Sequence, residues 1–384
     1  MKEAPVLDRK RLLFVVTEDW YFVSHRLPIA RAALAAGYEV FVATRLGEKT
    51  DAIVREGFTP IGLKRMRRSS RNPFRELASI AELVTLYRSY RPNIVHHVAM
   101  KPVLYGSVAA RLAGVTAIVN NVAGLGFVFS SKAVYAQTLR RLIAPLLRYA
   151  LKQRWALTIV QNSDDARVLA DEIGVAPEKI RLVKGSGVNL AEFSQVRRES
   201  SPPIVLLASR MIKEKGVEDF VRAAAQLRKE GATARLVLAG APDPENPHTI
   251  PEAVLRQYHE DGLVEWWGHR DNIPEIIREA AIVCLPTTYG EGVPKTLIEA
   301  AAGECPIVTY DVSGCREIVT DGVNGLLVPA GDVRRLAEAI AQLLADPQQR
   351  RRMGAQGRKR VQAEFSQEIV VAQTLAIYSE LLAQ

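Results

Sequence analysis

Three cysteines in 384 residues, Cys284, Cys305 and Cys315, are too few and too oddly numbered for a disulfide framework, and their spacing matches no zinc motif. They are read as buried or inert thiols. No apolar run approaches the ~20 residues that cross a bilayer. The start, MKEAPVLDRKRLLFVV, lacks the pattern of a signal peptide, because its apolar run has the length of a strand, so a cytosolic protein is expected. Phosphate-binding fingerprints are missing as well. GLGFVF (Gly124 to Phe129) and GSGVNL (Gly185 to Leu190) begin G-x-G without the third glycine, and no G-x-x-x-x-G-K-[ST] occurs, which counts against a dinucleotide-binding turn and a P-loop. Acidic residues are absent from Leu83 to Ser163, a stretch that holds ten basic ones.

What is present is an ordinary globular composition, 48% hydrophobic and 24% charged, in a chain long enough for about two domains. Its charge is lopsided. Residues 1–200 carry 31 Lys and Arg against 17 Asp and Glu, whereas residues 201–384 carry 20 against 25. The N-terminal half is built to meet something anionic. Two series of short apolar strands alternate with amphipathic helices: one opens with RLLFVV and runs through EVFVATR, NIVHHVA, AIVNNVA and LTIVQNS, the other opens with PIVLLASR and runs through RLVLAGA, VEWWGH, AIVCLPT and PIVTYDV. That alternation predicts an α/β protein of two facing Rossmann-like domains, each a parallel sheet covered by helices, with a cleft between them. Boundaries are expected at 1–193 and 203–365, joined by the polar stretch SQVRRESSPP, with a C-terminal helix over 366–384 returning to the first domain.

Ligands of such sheets bind at the C-terminal ends of the strands. After PIVLLASR the loop MIKEKGVEDF supplies Arg210 and Lys215, either a diphosphate clamp or a solvated basic loop. After AIVCLP the segment GEGVPKTLIE places Glu291 in a glycine-flanked loop and Glu299 in the second turn of a helix that Pro294 opens, on the order of 10 Å away. That separation is too wide for one shared metal or proton and suits a long ligand with phosphate at the helix N-terminus between the carboxylates. A dipole-favoured carboxylate beside an unrelated surface glutamate is the plainer alternative.

Taken together, SRMIKEKG, EGVPKTLIE, PIVTYDVSGCREIV, DGVNGLLV and the segment LVKGSGVNLAEF resemble the family-4 retaining glycosyltransferases of the two-domain GT-B fold, over essentially the whole chain. The resemblance implies a nucleotide-sugar donor, UDP-linked by analogy, with Arg210 and Lys215 on its diphosphate, Glu299 on the ribose and Glu291 beside the transferred hexose or N-acetylhexosamine. Backbone N–H groups of Gly292, Val293, Lys295 and Thr296 would complete the phosphate site. Arg210, Lys215 and Glu291 are the expected catalytic residues. No two aspartates stand in D-x-D spacing, so a metal-independent reaction without a cofactor is expected, the cations replacing a general acid. A non-catalytic sugar-binding protein and a GT-B epimerase are alternatives on the same scaffold.

DWYFVSHRLP, RSSRNP, MKPVLYG and VAGLGF resemble the branch that extends polyprenyl-diphosphate-linked sugars for capsule, O-antigen or glycoprotein glycans. Asp19, His25, Arg26, His97, Lys101, Asn121 and Gly124 are the acceptor-side candidates. Ala123 stands where many relatives have a histidine. Of the adjacent His96 and His97, one is expected to point into the domain and the other toward the ligand. Arg140, Arg141, Arg148 and Lys152 lie on a basic amphipathic helix, or a helix pair broken near Pro145, that can rest on an anionic leaflet. A peripheral protein on the inner membrane face is therefore expected. Nucleic acid, the other anionic partner, finds no recognition motif.

Overall fold

The computed structural model describes residues 9–69, 72–125, 134–288 and 290–383, without the side chains of 134–139, 141 and 142. The chain divides into two compact units, Met1–Ser186 with Glu368–Gln384, and Gly187–Gln367.

Unit 1 contains β1 (Arg11–Glu18), α1 (Asp19–His25), α2 (Leu27–Ala35), β2 (Glu39–Arg45), α3 (Thr50–Arg55), β3 (Thr59–Gly62), α4 (Pro73–Tyr90), β4 (Ile94–Val98), α5 (Met100–Ala113), β5 (Ile118–Val122), α6 (Val134–Leu151), β6 (Ala156–Val160), α7 (Ser163–Arg167) and β7 (Ile180–Leu182). Its seven strands lie in the order β3-β2-β1-β4-β5-β6-β7, every pair parallel. Side chains of β1 alternate between two cores: Leu12, Phe14 and Val16 face one cluster, Leu13 and Val15 the other. Burial on both faces explains the near-continuous apolar runs of these strands.

Unit 2 contains β8 (Ile204–Ala208), α8 (Val217–Lys229), β9 (Arg235–Ala239), α9 (Glu252–Glu260), β10 (Glu265–Trp266), α10 (Ile273–Glu279), β11 (Ala280–Leu285), α11 (Lys295–Ala302), β12 (Ile307–Tyr310), α12 (Ser313–Ile318), β13 (Gly325–Val328), α13 (Val333–Ala345) and α14 (Pro347–Glu364). Its sheet runs β10-β9-β8-β11-β12-β13, again all parallel. In both sheets the order reverses beside the first strand, between β1 and β4 and between β8 and β11. Loops after those strands flank the crevice where doubly wound sheets take their ligands.

The joint differs from the one expected. Ser194–Pro203 is no linker but part of unit 2: Arg198 N–H donates to Arg278 O (3.0 Å), Ser200 N–H to Glu279 O (3.0 Å), and the Arg197 guanidinium to the carbonyls of Ala280 (2.5 Å) and Ala281 (2.9 Å). Polar residues that look solvated in the sequence are donors to the carbonyls at the start of β11. The chain leaves unit 1 at Ser186 instead. There Val188 pairs with Ser366, with Val188 N–H to Phe365 O (3.2 Å) and Gln367 N–H to Val188 O (2.9 Å). The last helix, α15 (Gln367–Leu382), rejoins unit 1, where Tyr378 OH meets His96 Nδ1 at 2.6 Å.

Candidate active site

The loops that flank the β8/β11 crevice of unit 2 are locked to one another. After β8 the chain makes a 3₁₀ turn, Lys213–Lys215, that ends on Gly216 at φ +74°. A Cβ there would lie 2.0 Å from Pro286 O in the loop after β11, so only glycine fits both the left-handed backbone and the contact. Glu214 O accepts from Thr288 N–H (2.9 Å) and from Thr287 Oγ1 (3.0 Å). Across this junction Lys215 Nζ donates to both carboxylate oxygens of Glu291, at 2.6 and 2.7 Å, and Thr287 Oγ1 lies 3.3 Å from Glu291 Oε1. Lys215 is only 8% exposed. Two residues assigned from sequence to separate parts of a ligand are thus directly paired.

Arg210 reaches into the same region and bonds Asp243 Oδ2 at 2.6 Å. Asp243 belongs to the loop after β9, held by its own N–H on Thr249 Oγ1 (2.8 Å), and His248 of that loop meets Glu214. Asp243, Glu214 and His248 were missed in the sequence. The segment APDPENPH marks a loop rich in acid and proline, but only the β8–β9 neighbourhood brings it against Arg210.

Helix α11 begins just after Pro294, whose own side chain offers no cap. Thr296 Oγ1 donates to Ala208 O (2.9 Å), which fixes that turn to the end of β8. Gly314 of α12 backs the preceding loop so closely that a Cβ would stand 2.2 Å from Gly292 O. Gly292 and Val293 are buried, leading into a helix terminus whose field favours an anion. One helical turn on, Glu299 pairs with Lys295 at 3.3 Å. Burial raises the Glu299 carboxyl above the usual range, and the Lys295 charge opposes that. The three thiols are buried, Cys315 being pushed up to about 12 by burial. Among the described residues no three His, Cys, Asp or Glu side chains gather as a metal site requires.

Unit 1 sorts its candidates. Arg26 is 1% exposed, donates to Asn121 Oδ1 (3.2 Å), and has its guanidinium pKa lowered by burial. His25 stacks on Tyr21, ring centroids 4.1 Å apart. The Asp19 carboxylate instead accepts from Gly47 N–H (2.9 Å), Lys49 N–H (3.0 Å) and Thr50 Oγ1 (3.1 Å), pinning the loop after β2. His97 is a correction. Both histidines are buried, and His97 has Tyr87 OH on Nε2 (2.9 Å) and Asn120 Oδ1 on Nδ1 (2.8 Å). Nδ1 therefore donates to the amide oxygen while Nε2 accepts from the phenol, a neutral ring that burial holds down at about 4. Lys101 bonds Arg67 O and Glu76, both at 2.9 Å. Gly124 lies at φ +108°; Gly126 and residues 127–133 lie outside the described residues. Asp165 at the start of α7 is nearly buried, accepts from the Leu125 backbone and from Asn162 Nδ2 (2.9 Å), and is pushed up to about 7 by burial.

The basic helix is continuous through Pro145 rather than broken there. Leu147 and Leu151 are buried while Leu146 is 60% exposed, so the apolar residues of this helix divide between core and surface. Arg140 pairs with Glu172 (3.0 Å) and Arg148 Nε donates to Ile173 O (2.8 Å); Lys152 is exposed, and the Arg141 side chain lies outside the described residues. No described helix is long and apolar enough to cross a membrane.

Known proteins bear directly on this arrangement. The family model described as glycosyl transferases group 1 matches residues 189–360, and the one described as glycosyl transferase 4-like matches residues 11–163. The chain is 27% identical, over 93% of its length and 95% of the relative's, to the N,N'-diacetylbacillosaminyl-diphospho-undecaprenol alpha-1,3-N-acetylgalactosaminyltransferase of Campylobacter jejuni. Its fold is similar to sucrose-phosphate synthase from Thermosynechococcus elongatus (TM-score 0.80, 22% identity, 98% of this chain and 100% of that one). It is also similar to Anabaena HepE in complex with UDP and glucose (TM-score 0.75, 18% identity, 97% and 100%). With a family model on each unit and two parallel Rossmann-like sheets, the chain belongs to the group 1, family-4-like glycosyltransferases of the GT-B fold.

Proposed function

We propose that this glycosyltransferase moves a hexose or N-acetylhexosamine, with retention, from a UDP-sugar to a polyprenyl-diphosphate-linked saccharide at an anionic membrane surface. The observation that carries the donor half is the Lys215–Glu291 pair, set between two interlocked loops at the strand-order reversal of unit 2 and followed by the N-terminus of α11. A nucleoside diphosphate leaves easily once its charge is neutralised, so Lys215, Arg210 and the α11 N-terminus supply what a general acid or metal supplies elsewhere. The departing phosphate oxygen takes the proton of the acceptor hydroxyl as the new glycosidic bond forms on the same face. Glu291, already holding Lys215, sits beside the transferred sugar, and Glu299 accepts from the ribose hydroxyls.

UDP is supported by its presence in HepE, and the acceptor class by the undecaprenol-linked substrate in the name of the Campylobacter relative. Arg26, Asn121, His25 and Gly124 form the acceptor side in unit 1, and Arg140, Arg141, Arg148 and Lys152 contribute the membrane-facing charge. Incubating the protein with UDP-, GDP- and dTDP-linked sugars and a polyprenyl-diphosphate-linked acceptor tests the reading. Turnover restricted to UDP-sugars with an α-linked product is expected. An inverted product, or dependence on a non-lipid acceptor alone, overturns it.

A further inference from the structure

The segment between β3 and α4 is used by nothing described so far, yet it is built with care. Residues 64–75 carry six Lys and Arg and no Asp or Glu. Its backbone is anchored from beneath: Glu82 accepts from Lys64 N–H (2.8 Å) and Arg65 N–H (2.9 Å), Met66 is fully buried, and Lys101 Nζ holds Arg67 O. Asn72 then caps α4 by accepting from Phe74 N–H (3.0 Å) and Arg75 N–H (3.4 Å). This scaffold fixes Phe74 and Leu77 outward on one face of the first turns of α4, 81% and 65% exposed. Lys64, Arg65, Arg67 and Arg75 are exposed around them, and no carboxylate among the described residues pairs with any of the four. Arg68 lies 5.9 Å over the ring of Trp20, joining this segment to the start of α1, directly after β1. The patch therefore sits at the C-terminal ends of β1 and β3, on the ligand-binding edge of the unit 1 sheet.

We propose that the β3–α4 segment is a second membrane contact, inserting Phe74 and Leu77 into an anionic bilayer while Arg65, Arg67 and Arg75 engage lipid phosphates. A well-anchored helix start that exposes a phenylalanine and a leucine within a ring of guanidiniums matches an interfacial surface in both chemistry and polarity. A soluble acidic partner would answer the charge but leave the two apolar side chains without purpose. The inference rests on the membrane reading of the proposed function and adds the element that aligns the lipid-linked acceptor with the strand ends.

The test uses the full chain and vesicles of phosphatidylcholine alone or mixed with phosphatidylglycerol. Phe74→Ser with Leu77→Ser should lower partitioning onto the anionic vesicles by roughly tenfold for each apolar side chain withdrawn, with an unchanged melting temperature because both positions are exposed. The fluorescence of Phe74→Trp should be quenched by brominated acyl chains. If Arg140→Gln, Arg148→Gln and Lys152→Gln together release the protein while the Phe74 and Leu77 changes do nothing, this proposal fails and the membrane reading stands. If the unaltered protein binds neither vesicle, both fail. A lipid-independent dimer that the double serine variant dissolves would make the patch a protein interface and also overturn the proposal.

Discussion

Lys215 and Glu291 make the strongest quantitative test, because the proposed function gives one contact a part in both stability and catalysis. Lys215→Ala removes two charge-assisted hydrogen bonds of 2.6 and 2.7 Å and leaves Glu291, its side chain 19% exposed, with Thr287 at 3.3 Å in their place. Breaking a buried pair by deleting one partner costs about 3 kcal/mol or somewhat more. In the proposed reaction the same ammonium is the preorganised donor to the leaving phosphate, worth a further ~3 kcal/mol in the transition state, or about a hundredfold in turnover. The two effects separate in a double-mutant cycle. Lys215→Ala with Glu291→Ala leaves no orphaned charge, so urea unfolding should show the pair of changes costing about 2 kcal/mol less than the sum of the singles. Turnover of the double variant, measured with saturating donor, should stay at or below that of Lys215→Ala. Recovery of turnover along with stability would refute the reasoning, since it would make the pair a structural clamp and place the phosphate elsewhere.

Three further outcomes follow from other contacts. Glu299→Ala should raise the donor KM with kcat little changed, as expected for a group that binds ribose away from the reacting bond; unchanged donor affinity in steady-state kinetics would remove the ribose assignment. Gly216→Ala would drive a methyl group into Pro286 O, so calorimetry should show a loss of several degrees in Tm, accompanied by weaker nucleotide binding. The pH dependence of stability should contain two opposed contributions. His97, buried neutral at about 4, binds a proton near 6.5 only when unfolded, so it removes about 3 kcal/mol as pH falls from 6.5 to 4. Asp165, at about 7 when folded, holds its proton in the native state and gains stability over the same descent. Asp165→Asn should therefore steepen the acid loss in urea titrations; parallel profiles would contradict the sign.

Strand runs such as RLLFVV and PIVLLASR made two parallel sheets legible, since strands covered on both faces must be apolar along their length. The positions of Arg210, Lys215, Glu291 and Glu299 in the loops and helix after β8 and β11 were legible too, because they follow the apolar strand runs directly. What sequence could not supply was pairing across the sheet. His97 reads as an available imidazole until Tyr87 and Asn120 close on its two nitrogens, and Asp19 reads as an acceptor-side candidate until the backbone of Gly47 and Lys49 comes to it. SQVRRESSPP reads as a linker for the same reason: Arg197 finds its acceptors at the start of β11, some eighty residues downstream. Local composition reports polarity, whereas these partners are chosen by the fold.

The return of α15 to unit 1 also dictates an order of assembly on the ribosome. Val370, Ile377, Tyr378 and Leu381 belong to the same hydrophobic cluster as Leu12, Phe14 and Val16, yet they are synthesised only after all of Gly187–Gln367. A nascent unit 1 therefore waits with one face of its sheet covered by α1 and α2 but not by α15, and with His96 lacking its phenol, while unit 2, contiguous in sequence, can close completely as soon as it emerges. Unit 2 matures first and unit 1 last, so a chain cut short before residue 370 should yield an intact unit 2 attached to an aggregation-prone unit 1.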